Sequence, residues 1–170
     1  IDVELTRNTG DRVDPGRKLE IITNSNAQCL ISLSVGSSLP DVAGFRIMYP
    51  NESVYYNAAH PGEETALVPL EMNYRQFQDR SKVLSSAILN GLKRVVEKEP
   101  IGMSPVPLFL QKRAPMPSTF VVLGYMTNSS DASRLMDSSH QDMLATAISE
   151  AIGEFGSHVA DAGGESSPTG

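Results

Sequence analysis

The chain switches between two hydrophobic periods, and the switches mark its elements. Residues 3–6, "VELT", alternate with period two and predict a short strand. "DPGRKLEIITNSNA" follows as a helix: Asp14 suits the cap, Pro15 the first helical position, and Leu19, Ile21 and Ile22 supply apolar positions before Asn24 to Asn26 end it. "CLISLSV" is an almost unbroken apolar run with interleaved serines, which predicts a strand covered on both faces. "GFRIMYP" predicts the next strand, closed by Pro50. Residues 51–79 hold no sustained period and read as a long surface excursion. From Arg80 to Lys98 the helical period returns, with Val83, Leu84, Ala87, Ile88, Leu92, Val95 and Val96 on one face and Pro100 as a stop. "VPLFLQ" and "TFVVLGYM" predict two strands joined by "KRAPMPS". A last helix is expected with Ser139 as cap, Met143, Leu144, Ala147, Ile148, Ala151, Ile152 and Phe155 as its buried stripe, and Gly156 as its end. Strands alternating with helices predict an α/β fold whose sheet is mixed and largely parallel, flanked by helices.

Composition changes this picture little. The chain has 170 residues, 40% of them hydrophobic and 20% charged, as expected of one soluble globular domain. A formal charge of -6 with scattered basic residues argues against nucleic acid, which needs a basic stripe to neutralise phosphates. No apolar window is long enough to span a bilayer, and "IDVELTR" lacks the regions of a secretory signal. The sequence opens at Ile1, so a processed product or a fragment is expected. Cys29 is the single cysteine, which removes an intramolecular disulfide and a cysteine-rich zinc site, and its apolar neighbours predict a buried, inert thiol.

Chemistry-bearing residues are few. His60 and Glu63 in "HPGE" form the one spaced pair that resembles metal ligands, although a solvated loop explains them as well. Glu64 and Glu71 read as hydrated carboxylates, and His140 and His158 as residues at helix ends. The serines of "SLSVGSS" have no Gly-x-Ser-x-Gly pattern and no histidine nearby in sequence, so a serine nucleophile is disfavoured. Tyr55 and Tyr56, with Tyr74 and Phe77, could line a glycan or peptide groove or simply pack on a sheet edge. Lys112 and Arg113 are a solvated basic pair or a site for a carboxylate at the active end of the sheet.

Three stretches carry a resemblance. "LTRNTGDRVDPGRKLEIITNSNAQCLISLSVGSS" resembles the segment of the zinc-dependent N-acetylmuramoyl-L-alanine amidases (amidase_3 type) that runs from a Thr-Arg pair, through an Arg-bearing helix, to a strand ending Ser-Ile-His-Ala-Asn. "GFRIMYP" is similar to that family's Ser-Gly-Phe strand, and "MPSTFVVLGYMTNSS" is similar to its Met-Pro-Ala-Val-Leu-Val-Glu-Leu-Gly-Phe-Leu-Ser-Asn stretch. The likeness runs from about Val3 to Phe155. It implies an amidase-like α/β domain over residues 1–158 that lacks the family's first strand and helix, followed by a tail over 159–170. It also implies a bacterial envelope or extracellular location.

The same likeness implies lost chemistry. The family's zinc-binding His falls on Ser34, and its Glu, which works on the zinc-bound water, falls on Val122. The family's other two ligands lie upstream of Ile1. A hydroxyl is a poor zinc donor and a hydrocarbon accepts no proton. The expectation is therefore a pseudoenzyme without cofactor that binds a protein partner or peptidoglycan. Ser34, Gly36, Tyr55, Tyr56, Lys112, Arg113 and Asn128 are its candidate contacts. Two alternatives stand beside it. One is an active zinc amidase whose ligands come from the missing part, with His60 and Glu63 as internal candidates. The other is a structural half of a split domain, since the family's first strand is central and its loss leaves sheet edges that recruit a second copy or a complementing chain.

Overall fold

The computed structural model describes residues 1–51, 73–97 and 100–164, with side chains over 1–51, 75–97 and 100–157. Helix α1 (Pro15–Asn24) begins as its sequence dictates: the Asp14 carboxylate accepts from the Gly16 N–H at 2.7 Å and Pro15 occupies the first turn. Strand β1 (Leu30–Gly36) follows, then β2 (Arg46–Tyr49). Gly44 enters β2 with a φ of 95°, in the left-handed region where a side chain would be strained. A 3₁₀ turn (Asn73–Phe77) leads into α2 (Gln78–Val95). Strand β3 (Gly102–Pro105), a short helix α3 (Phe109–Arg113), β4 (Ser118–Tyr125), α4 (Ser129–Leu135) and α5 (Ser138–Gly164) follow.

Among the described residues four strands form one sheet in the order β1-β4-β2-β3. Strands β1 and β4 are parallel, β4 and β2 antiparallel, and β2 and β3 parallel. The C-terminal ends of β1 and β4 therefore share one end of the sheet, while β2 and β3 finish at the other.

Side-chain alternation sorts the two faces. Thr119, Val121 and Leu123 meet α2 and α5. Phe45, Ile47, Leu84, Ile88, Leu92, Val121, Leu144, Ala147, Ile148, Ala151 and Phe155 form the main core there. Burying about a dozen such side chains at roughly 1.5–3 kcal/mol each is the principal force holding helices to sheet. Buried hydroxyls fix the register of α2. Ser81 Oγ accepts from the Ser118 N–H at 3.0 Å, and Ser85 donates to Thr119, which donates to the Met48 carbonyl at 3.2 Å. The opposite face carries α3, where the buried Gln111 amide donates to Ser32 at 2.8 Å. A small cluster of Ile22, Ala114 and Met116 joins α1 to this side.

Several sequence expectations are corrected. "VELT" is not a strand, because among the described residues no neighbouring strand offers it backbone partners. Among the described residues strand β1 lies at the edge of the sheet, and it is not covered on both faces, since Leu33 and Val35 are exposed. "VPLFLQ" is not a strand; its first residue reaches the sheet, the Val106 N–H donating to the Tyr49 carbonyl at 2.9 Å, and the rest leaves it. The strand lies just before it, at Gly102–Pro105, and Pro107, which has no N–H to donate, turns the chain into α3. In α2 the buried stripe rotates toward Ser81, Ser85 and Gly91, leaving Val83 exposed. Helix α5 is capped by Asp137, whose carboxylate accepts from the Ser139 N–H at 2.8 Å, leaves Met143 exposed, and continues past Gly156. Among the described residues no helix is long and apolar enough to cross a membrane.

Candidate functional site

The parallel pairing of β1 with β4 makes Ser34 and Val122 direct cross-strand partners, on the face that also carries Ser32. The two positions singled out by the resemblance thus lie side by side. Past them the register shifts, so that Gly36 faces Tyr125. A Cβ on Gly36 would lie 2.7 Å from the Tyr125 ring and 3.1 Å from Val122 Cγ1, so this glycine is required by close approach. Val122 is buried, Ser34 is half-buried, and the Ser34 hydroxyl donates to the Val35 carbonyl at 3.2 Å.

The loops leaving the two strand ends are stitched together. The Met126 N–H donates to the Gly36 carbonyl at 2.9 Å, the Ser38 N–H to Thr127 Oγ1 at 3.0 Å, and the Asn128 amide to the Pro40 carbonyl at 2.8 Å. Asn128 Oδ1 also caps α4, accepting from the N–H groups of Ser130 and Asp131 at 3.1 and 3.2 Å. Behind these loops lies a group that the sequence reading missed. The buried carboxylate of Asp131 accepts from the Gly44 N–H at 2.8 Å and from the Tyr125 N–H at 3.0 Å, tying the start of β2 to the end of β4. Its signal was present in the Asn128–Asp131 spacing, an N-cap followed three residues later by an acidic side chain.

The other candidates do not gather here. Lys112 and Arg113 were expected to face this end, but α3 leads directly into the N-terminal end of β4, so they sit at the opposite end of the sheet. There the Arg113 guanidinium lies 4.2 Å from the centre of the Phe109 ring. Burial first, and then the charge of Arg113, push the Lys112 ammonium below its ordinary value. Tyr55, Tyr56, His60, Glu63, Glu64 and Glu71 lie outside the described residues, as do the side chains of Tyr74 and His158. Cys29 packs at the margin of the core, where burial pushes its thiol up.

The chemistry of this site is narrow. A zinc ion needs imidazole, thiolate or carboxylate donors, and Ser34, Val122, Gly36 and Tyr125 offer a hydroxyl, a hydrocarbon, a backbone and a phenol ring. These residues do not fit the metal that the resemblance implies. Among the described residues no three His, Cys, Asp or Glu side chains come together as a metal-binding group.

A mixed, mostly parallel sheet flanked by helices is a fold this chain shares with solved amidase structures. The chain belongs to the N-acetylmuramoyl-L-alanine amidase family, whose Amidase_3 model matches residues 1–154. Among solved structures it is similar to the CwlD amidase of Clostridioides difficile, determined in complex with the GerS lipoprotein, at 25% identity and a TM-score of 0.64, over 84% of this chain and 61% of that one. The AmiC2 amidase of Nostoc punctiforme shares the fold at 22% identity and a TM-score of 0.70, covering 89% of this chain and 71% of its own. The catalytic domain of CwlV from Bacillus (Paenibacillus) polymyxa var. colistinus does so at 18% identity and 0.60, covering 91% and 72%. The chain therefore spans about three fifths of CwlD's length. Comparison with curated protein sequences gives no match.

Proposed function

We propose that this chain is an amidase-family domain without amidase catalysis, which acts in the bacterial envelope by binding. The observation that carries the reading is the Ser34–Val122 pair, which sits where the resemblance calls for an imidazole and a carboxylate. Without a metal donor at one position and a proton acceptor at the other, the two strands have no means of activating water for amide hydrolysis. The partner is a protein or peptidoglycan itself. CwlD, a relative, is seen with the GerS lipoprotein, which favours the protein.

Family membership supports a second reading, in which zinc ligands come from outside the described residues, His60 and Glu63 among them. Metal analysis of the purified chain, paired with an assay for stem peptide released from muropeptides, separates the two. The expected result is zinc far below one equivalent and no release. One equivalent of zinc with chelator-sensitive release would overturn the proposal. Sedimentation of the chain with purified sacculi then tells a wall binder from a protein-binding module. A third reading, the structural half, is supported by the outer edge of β1, which has no strand partner among the described residues.

A further inference from the structure

Arg46 opens β2 and pairs with Val122 of β4 on one side and with Gly102 of β3 on the other, so its side chain shares the face of Val122 and Ser34. That side chain is half-buried, and its guanidinium donates to Ser104 Oγ at 3.2 Å. Among the described residues no carboxylate pairs with it, although Arg17, Arg94 and Arg134 each have one. The Asp131 carboxylate, which reaches the Gly44 N–H two residues before Arg46, is taken up by backbone donors. A cation drawn partly out of water with only a neutral hydroxyl for company is unfavourable, and an anion that meets it removes the deficit.

The surroundings suit one kind of anion. Ser104 Oγ accepts from Arg46 and so keeps its own O–H to donate, which puts donors from two strands beside each other. Gly102, the cross-strand neighbour of Arg46, has no side chain, and a Cβ there would meet nothing within 4 Å, so the space next to it is open. The planar fork of a guanidinium matches the two oxygens of a carboxylate. One cation balances one negative charge, which favours a carboxylate over a phosphate carrying nearly two. An acidic side chain, carried on its own stem, also reaches a half-buried cation that a flat surface would miss.

We propose that Arg46 and Ser104 form a subsite for the carboxylate of an acidic side chain in a protein partner. The inference rests on the proposed binding role and names the chemistry by which the partner is held. Because Arg46 neighbours Val122, the segment that bears the carboxylate would lie beside the Ser34–Val122 pair.

NMR titration of the isotope-labelled chain with acetyl-Ala-Glu-Ala-amide, and with its Gln counterpart, tests it. The Glu peptide should shift the Arg46 Nε–H and the Ser104 amide at millimolar concentration, and the Gln peptide should bind at least about tenfold more weakly. Arg46→Met keeps the apolar stem and should weaken Glu-peptide binding at least about tenfold, while Arg46→Lys, which keeps the charge but loses the fork, should fall between. Lys93→Met removes an exposed cation on α2 and should bind like the parent. Thermal unfolding checks that each variant remains folded. Equal affinity for the two peptides overturns the inference, as does an Arg46→Met variant that binds like the parent or a parent that shows no shift up to about 10 mM peptide. Sacculi held by the parent and released by Arg46→Met, with no response to the Glu peptide, also overturn it, in favour of a carboxylate of the stem peptide. Zinc with stem-peptide release would sink the proposed loss of catalysis and leave this titration unchanged. A zinc-free chain that binds a protein but takes both peptides alike sinks the subsite alone.

Discussion

Replacing Gly91 with alanine sets two effects of comparable size against each other. Gly91 lies within α2, where alanine is favoured over glycine by about 1 kcal/mol in an exposed helix interior. Here, however, the new Cβ would lie 2.9 Å from the Ala147 carbonyl oxygen and 3.4 Å from Ala151 Cβ, both on α5. The first contact is with backbone, which cannot rotate away, so the two helices must part. That separation loosens the packing of Leu84, Ile88 and Leu92 against Leu144, Ile148 and Ala151. Overpacking of this kind costs about 1–3 kcal/mol. The net effect should be a loss of up to about 2 kcal/mol, or a melting temperature lower by up to roughly 8 °C for a chain of this size. Gly153 on α5 supplies the control. It is exposed, a Cβ there meets nothing within 4 Å, and Gly153→Ala should therefore stabilise by up to about 1 kcal/mol. Urea and thermal unfolding followed by far-UV circular dichroism measure both. A Gly91→Ala protein at least as stable as the parent would refute the close approach of α2 to α5.

Two further outcomes follow from buried groups. Asp131→Ala leaves the Gly44 and Tyr125 N–H groups without an acceptor and should cost about 3–4 kcal/mol, whereas Asp131→Asn keeps an amide oxygen and should cost about 1 kcal/mol; equal losses in urea unfolding would rule out the two-donor role. Burial raises the Cys29 pKa, so its neutral form stabilises the fold fully below the unfolded thiol's pKa of about 8.5, and that contribution is lost as pH rises toward the native value. The parent's urea midpoint should fall more steeply than that of Cys29→Ala above that pH, and the native thiol should react slowly with a disulfide reagent; a rate matching free cysteine at pH 8 would contradict this.

Local signals were legible where local chemistry decides the outcome. Asp14 with Pro15 started α1, and the spacing of Leu84, Ile88 and Leu92 gave α2. The failures lie where tertiary context decides. Val3 to Thr6 has a strand's alternation but pairs with no strand among the described residues, and Leu33 and Val35 look like core residues until the sheet order of those residues leaves them exposed. Lys112 and Arg113 were put at the wrong end because the sequence does not reveal that β4 runs against β2. The partnership of Ser34 with Val122 depends on a register between strands almost ninety positions apart. The resemblance suggested the two sites, but no periodicity could have placed them side by side. Asp131 escaped notice because a carboxylate early in a short helix looks ordinary until its backbone donors are known.

The opposed directions of β2 and β4 give the molecule two poles, separated by about 23 Å along an eight-residue strand. A fluorophore on a cysteine introduced at Arg113 would sit too far from Gly36 to compete with a ligand bound there. Substitutions at the two poles should add in free energy to within a few tenths of a kcal/mol, so each can be engineered without re-measuring the other.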